Sequence, residues 1–302
     1  MRVRVTVPAS SANFGPGFDV LGVALAVHNV AELAESDALS VEIEGEGAAS
    51  LPRDGRNVVV KGARLVYEAA GRRLGGLVVH QKNGIPPGRG LGSSGSAWLA
   101  GILGGNALLG SPLGPEAVMD LAVGQEGHPD NLGASLHGGV TATCWDSETR
   151  SVVSLPVPEG VEFVVLIPDF EASTTAARAA LPASYPKADA VYNVTRVALL
   201  VAAWAQLRWD VVGQAMNDRL HQPYRSRAMF PWLDGVLATA REAGAIGAAL
   251  SGAGPSVLAL APQGTGATVA SAMAEALRKA GHSGSARILA ADTRGAQVEL
   301  LP

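Results

Sequence analysis

The period of apolar and polar positions changes several times along the chain, and each change predicts an element. Arg2-Val3-Arg4-Val5-Thr6-Val7 alternates strictly, as a strand with one buried face does. Residues 8–19, Pro-Ala-Ser-Ser-Ala-Asn-Phe-Gly-Pro-Gly-Phe-Asp, are dense in turn formers and read as a loop. Residues 20–33 are apolar and β-rich, and 39–44 alternate, so both predict strands. Residues 57–70 place apolar side chains at 58, 59, 63, 66 and 69, a helical spacing stopped by Gly71. A short apolar run at 77–80 leads into a glycine-rich stretch. Behind that stretch Trp98, Leu99, Ile102, Leu103, Leu108 and Leu109 predict a buried helix, with glycines for close packing. Residues 115–123 predict another helix with Pro115 at its first position, and 140–145 a strand. Composition shifts over 146–160, where Pro156 and Pro158 fall, and a domain boundary is placed there, between 150 and 151. Beyond it, 161–167 read as a buried strand, 173–182 as a short Ser/Thr-capped helix and 188–207 as a long apolar helix. Strands at 247–250 and 257–261 flank a glycine-rich hinge, followed by a helix at 267–280 and a final strand at 288–291.

Composition narrows the class. With 302 residues, 48% hydrophobic and 17% charged, the chain can bury a large core in one large or two ordinary domains. A net charge of −4 argues against a nucleic-acid surface. Lysine occurs only at 61, 82, 187 and 279, and the other basic residues are arginine. Arginine suits bidentate contacts to carboxylate and phosphate, although genomic base composition gives the same bias. Cys144 is the lone cysteine, which excludes an intrachain disulfide and a thiolate metal cage. Its strand-like surroundings predict a small core residue rather than a nucleophile. The N-terminal alternation is unlike a signal peptide, and no run of 18 uninterrupted apolar residues occurs. A soluble, cytoplasmic protein with no membrane partner is expected. The oligomeric state stays open, a homodimer included.

The chemistry concentrates in Gly84-Ile-Pro-Pro-Gly-Arg-Gly-Leu-Gly-Ser-Ser-Gly-Ser-Ala97. Gly88, Gly90, Gly92 and Gly95 let a backbone take φ > 0 and approach a ligand closely. Ser93 and Ser94 are N-cap types at a predicted helix start. A loop of free N–H groups feeding a helix N-terminus is an anion site, and phosphate its natural guest. The competing reading is a glycine-rich surface loop. Gly90, Gly92 and Gly95 fit Gly-x-Gly-x-x-Gly, but a dinucleotide fingerprint follows its strand at once, and here 83–89 intervene. No Gly-Lys-Ser/Thr and no protein-kinase set is present either. Polar residues cluster elsewhere too. Asn13 and Asp19 stand in the first loop, where Asx turns alone would explain them. Gln125-Glu-Gly-His-Pro-Asp-Asn131 sits between apolar segments, where Asp130 or Asn131 could simply cap a helix.

Pro86-Pro87-Gly88-Arg89-Gly90-Leu91-Gly92-Ser93-Ser94 resembles the nucleotide motif of the galactokinase, homoserine kinase, mevalonate kinase and phosphomevalonate kinase (GHMP) superfamily. The stretch 8–19 resembles the N-terminal substrate motif of its homoserine kinases, and 126–131 their Glu-Gly-His-Pro-Asp-Asn. Ser173 to Pro182, Asp218 to Arg225 and Ser251 to Ser256 are similar to further family stretches. Gly133-Ala134-Ser135 departs from the family's usual pattern.

The resemblance implies an α/β (α+β) fold of two domains, 1–150 like domain 2 of ribosomal protein S5 and 151–302 ferredoxin-like, with the site between. It implies ATP-dependent phosphorylation of the L-homoserine hydroxyl. The loop Pro86 to Gly95 would hold the nucleotide, and Glu126 with Ser93 or Ser94 would ligate Mg²⁺, a hard ion wanting oxygen. Arg178 and Arg225 would take the substrate carboxylate. Asp19 or Asp130, with Asn13, would take its ammonium. Asn131, Thr174 and Gly252 would complete the substrate site. Glu126, Ser94, Asn131 and Arg178 would be the catalytic set. Asn131 cannot accept a proton at neutral pH, so positioning and nucleotide-assisted deprotonation are implied instead. The alternatives are a dinucleotide dehydrogenase, a mevalonate-pathway kinase of the same superfamily, and a non-enzymatic sensor or RNA-binding protein on the same fold.

Overall fold

The computed structural model describes residues 1–157 and 159–302; Pro158, one of the two boundary prolines, lies outside the described residues. Strands β1 (Arg2–Asn13) and β2 (Gly17–Ser36) form an antiparallel hairpin that is the spine of the first sheet. β3 (Ser40–Gly45) leads through helix α1 (Val58–Ala69) to β4 (Gly76–Asn83), its parallel neighbour. Helices α2 (Ser93–Leu108), α3 (Pro115–Glu126) and α4 (Asp130–His137) follow, then the hairpin β5 (Val140–Trp145) and β6 (Arg150–Leu155). The alternation of β1 sets the layers: Val3, Val5 and Val7 are fully buried beneath the helices, while Arg2 and Arg4 lie on the open face. Glycines of α2 bring it against α1 and the sheet; a Cβ on Gly101 would strike the Val59 carbonyl, and one on Gly104 would lie 2.8 Å from Leu33.

The second sheet has the order β10-β7-β9-β8. From residue 161 onward the chain runs β7 (Val161–Pro168), α5 (Thr174–Ala179), α6 (Lys187–Ala205), α7 (Trp209–Ala215), α8 (Gln222–Ala228), α9 (Leu233–Glu242), β8 (Gly247–Leu250), β9 (Val257–Pro262), α10 (Gly266–Lys279), β10 (Gly284–Leu289) and β11 (Gln297–Leu301), the last belonging to the first sheet. From Phe163 onward β7 is apolar and buried because both its faces are covered. Val164 and Leu166 pack with α9 and α10, while Phe163, Val165 and Ile167 join α6 and α7. That second cluster also contains Ala9, Phe14, Leu21 and Val23 of the first hairpin. One apolar core therefore ties the two halves together beneath the cleft they form.

Several sequence expectations shift. Residues 8–19 are mostly strand, with only 14–16 left as the turn, because Ser10 and Ser11 are fully buried and find side-chain partners there. β6 pairs with β5, and β11 returns to pair with β1. The expected 150/151 boundary would cut that hairpin, so we propose to draw it after Leu155 and return 297–301 to the first unit. The strand at 288–291 is therefore not the last; it lies at 284–289 and β11 follows it. Cys144 is exposed, not core, since the pleat turns Thr143 inward and Cys144 out. Helices α4, α7 and α8, of seven or eight residues, are too short to show a period, whereas α9 was not predicted although Leu233, Val236, Leu237 and Ala240 recur at helical spacing. No helix among the described residues is long and apolar enough to cross a membrane.

Candidate functional site

From Asn83 the chain enters the glycine-rich loop, where the Ile85 N–H donates to Asn29 at 3.1 Å. Gly88, Gly90 and Gly92 take φ of 63°, 71° and 70°, the left-handed region open to glycine. Gly92 caps α2 without a side-chain bond, so Ser93 and Ser94 occupy the first helical turn instead of capping it. Neighbouring segments hold the loop by its carbonyls. Ala172 N–H donates to Gly88 (2.8 Å), Ser251 Oγ to Gly90 (2.7 Å) and Ser10 N–H to Leu91 (3.1 Å). The N–H groups from Gly88 to Gly92 carry no hydrogen bond among the described residues, which leaves them for an anion. Arg89 turns aside, donating to the carbonyls of Asp169 at 2.7 Å and Pro87 at 3.2 Å. A Cβ on Gly92 would run into Ser10 Oγ. Gly92→Val should therefore weaken ATP binding by at least about tenfold, through both the clash and the φ a β-branched residue resists. Titration calorimetry reads this directly, and native affinity would mean the loop is not the phosphate cradle.

α3 ends one turn later than its periodicity predicts and carries Glu126 to the mouth of α2. Ser94 Oγ donates to Glu126 Oε1 at 2.5 Å. Gly127, left-handed at φ 78°, reverses the chain so that α4 starts with Asp130 and Asn131 facing the same cleft. Pro129, not Asp130 or Asn131, holds the cap position of α4. Asp130 accepts from the Asn131 N–H at 2.7 Å and pairs with His128 Nδ1 at 2.7 Å. Burial opposes a charged His128, but the Asp130 hydrogen bond and charge, with Glu126 and Asp19, raise its pKa above the ordinary histidine value. Asn131 Oδ1 accepts from Ser10 Oγ at 3.0 Å, which fixes its amide; Nδ2 makes one long bond to Asp130 Oδ1 at 3.4 Å and keeps its second N–H for the cleft.

The opposite wall comes from three separate segments. Asn13 and Asp19 flank the β1–β2 turn with φ of 79° and 58°, conformations uncommon for side-chain-bearing residues. Asn13 accepts from the Asp19 N–H at 3.2 Å and donates to the Gly252 carbonyl at 3.0 Å. Arg178, on α5, grips Asp19 with both terminal nitrogens at 3.1 and 3.0 Å. Arg225, on α8, is 2% exposed and donates to the carbonyls of Gly252 (2.9 Å) and Ala177 (3.2 Å). Next to Pro223 and Tyr224 an arginine would by default be solvated; the packing of α8 buries this one. Burial, then repulsion by Arg178, pulls its pKa down to about 10, which leaves it protonated at neutral pH. Phe18 lies beneath both guanidiniums, at 5.7 Å from Arg178 and 5.4 Å from Arg225.

One cleft thus gathers Asn13, Asp19, Gly88 to Gly90, Gly92 to Gly95, Glu126, Asp130, Asn131, Thr174, Arg178, Arg225 and Gly252. Of the expected residues, Pro86, Pro87 and Leu91 are not on its wall; Leu91 is buried and Pro87 faces a pocket behind the loop. Phe18, His128 and Ala253 line the cleft without having been assigned there. Phe18 and His128 stood inside the recognised motifs, and only their surroundings reveal their use. The atoms of Asp19, His128 and Asp130 lie within 4.8 Å of one another. Arg178 and the imidazole already engage these carboxylates, so the trio reads as an anionic pocket rather than a metal centre. Ser94 and Glu126 offer hard oxygen donors beside a helix N-terminus, a set that fits Mg²⁺.

The family model described as "GHMP kinases N terminal domain" matches residues 57–139, and "GHMP kinases C terminal" matches 200–279. A homoserine kinase from Moorella thermoacetica is 43% identical over 97% of this chain and 99% of its own. One from Carboxydothermus hydrogenoformans is 43% identical over 87% of this chain and 86% of its own. The crystal structure of a homoserine kinase from Cytophaga hutchinsonii superposes with a TM-score of 0.87 at 29% identity, covering 99% of this chain and 97% of that one.

Proposed function

We propose a division of labour in the cleft from one premise: the chain belongs to the GHMP kinases and, among them, to the homoserine kinases. It transfers the γ-phosphoryl group of ATP to the side-chain hydroxyl of L-homoserine, the step toward threonine. The loop N–H groups and the N-terminus of α2 take the nucleotide phosphates. Ser94 and Glu126 would hold Mg²⁺, which supplies neutralisation of phosphate charge. Asp19 and Asp130 receive the substrate ammonium; Arg178 and Arg225 receive its carboxylate. The Asp19–Arg178 pair is a preformed zwitterion that a second zwitterion can lie against with charges opposed. Asn131 Nδ2 positions the acceptor hydroxyl. Phosphoryl transfer needs alignment and charge neutralisation more than a strong base, so an amide at 131 suffices. The observation that carries this reading is the phosphate loop and the alternating-charge pocket meeting in one cleft. An enzyme consuming ATP and a free amino acid works where both are supplied, in the cytoplasm. ADP release measured against homoserine, mevalonate, galactose and no acceptor tests it, and turnover with mevalonate or galactose but not homoserine would overturn it.

The nucleoside has a place behind the loop, where Leu51, Pro52, Val58, Pro87 and Ala97 form an apolar pocket edged by Asn57 and Asn83. Asn83 Oδ1 is buried with no hydrogen-bond partner among the described residues. A lone acceptor favours the amino group of adenine over the 6-oxo group of guanine, since an unmet buried acceptor is costly. ATP should be preferred over GTP by roughly 10- to 100-fold in kcat/KM, since leaving one buried acceptor unmet costs about 1–3 kcal/mol. Parity between the two nucleotides would remove the base from this pocket.

A further inference from the structure

His221 stands behind the cleft wall, fully buried between α8 and the turn joining β1 to β2. Its two ring nitrogens have fixed roles. The Arg225 guanidinium can only donate, so Nδ1, 3.2 Å from Nη1, accepts. The Gly15 carbonyl can only accept, so Nε2, 2.7 Å away, carries the proton. The ring is the neutral Nε2–H tautomer. Burial lowers its pKa; the Asp218 carboxylate, 3.5 Å from Nε2, opposes that, and the Arg225 charge adds to it. Phe18 stacks on the ring at 5.2 Å with the planes 22° apart. Gly15 sits in the turn whose flanks are Asn13 and Asp19, and Arg225 spans Gly252 and Ala177. A single imidazole is therefore bonded both to the buried arginine and to the hairpin that carries the acidic side of the pocket.

We propose that His221 is a positioning residue for amino-acid recognition, accepting from Arg225 and donating to Gly15 so that guanidinium and hairpin are held in one register. The inference rests on the reading of Arg225 as a carboxylate partner. Without the Nδ1 acceptor one Arg225 N–H loses its buried partner, and the guanidinium is free to turn away from the cleft. Without the Nε2 donor the Gly15 carbonyl is orphaned, and the turn that sets Asn13 and Asp19 relaxes. Neither change touches the phosphate loop.

The test uses the full chain, with His221→Leu, His221→Asn, His221→Gln and Arg225→Ala compared by ADP release with homoserine and with 3-aminopropanol, which lacks the carboxylate. His221→Leu should raise the homoserine KM roughly 10- to 100-fold, the scale of one hydrogen bond to a charged group. The ATP KM should stay near native, and 3-aminopropanol should lose little further. His221→Asn places an amide oxygen near the Nδ1 position and should recover most of the loss. His221→Gln restores only the donor toward Gly15 and should recover less. A native homoserine KM in His221→Leu, or parallel rises in both KM values, overturns the proposal. If His221→Leu does not fold, the Asn and Gln variants decide, and equal homoserine KM values for the two overturn it. Arg225→Ala separates the layers. If it injures both acceptors equally, the carboxylate reading itself fails; if it is selective while His221→Leu is not, only the positioning role fails.

Discussion

Arg225→Ala should lower kcat/KM for homoserine by roughly 30-fold to several thousand-fold, with ATP affinity nearly unchanged. Truncating one partner of a buried charge pair typically costs about 2–5 kcal/mol, and each ~1.4 kcal/mol is one decade. Arg225 belongs at the upper end of that span because it is 2% exposed and also satisfies the carbonyls of Gly252 and Ala177. Arg178 belongs at the lower end. Its side chain is 38% exposed and its charge is already shared with Asp19, so solvent screens part of what is lost. Lysine at either position should rescue only partly, since an ammonium lacks the planar fork that bonds two acceptors at once. The control is 3-aminopropanol, which should be a poor acceptor for the native enzyme and lose little more in the variants. Equal injury to both acceptors would assign these arginines to the transferring phosphate or to the fold.

Glu126→Gln should keep the fold and cut kcat by roughly 10²–10³-fold, the scale of removing one electrostatic stabiliser from a site. Gln preserves the shape and can still accept from Ser94 Oγ, so the thermal midpoint should move little. What changes is charge at the mouth of α2, where Ser94 and Glu126 would hold Mg²⁺. Raising Mg²⁺ should restore part of the rate, and steady-state kinetics across a Mg²⁺ titration reads that. Near-native turnover at limiting Mg²⁺ would move the ligand off Glu126. Asp120, the next acid in the sequence on the same helix, is unsuited to replace it. It accepts from Trp145 Nε1 at 2.9 Å and pairs with Arg150 at 3.3 Å, tying α3 to the β5–β6 hairpin.

Local order carries some of this protein and leaves the rest unspecified. The strand 2–7 was legible because one buried face imposes a period of two, and the helix behind the phosphate loop and the strands at 161–167, 247–250 and 257–261 because burial on both sides makes them largely apolar runs. The phosphate loop was legible because glycine is the residue that permits φ near 70° at 90 and 92, a demand met within a few residues. Glu126, Asp130 and Asn131 could be named together because they are neighbours in the chain. Tertiary structure alone decided what depends on distant segments meeting. Ser10 belongs to a strand because Asn131 and Leu91 give its groups partners 121 and 81 positions away, which no local window contains. Cys144 faces outward because the register of β5 on β2 fixes the pleat, and a slip of one residue would reverse it. β11 completes the first sheet from the far end of the chain, a pairing its five residues do not announce. Arg225 is the sharpest case. Next to Pro223 and Tyr224 it resembles any surface arginine. The fold buries it by bringing α8, Ala177, Gly252 and His221 around one guanidinium, whose charge then has the cleft left to face.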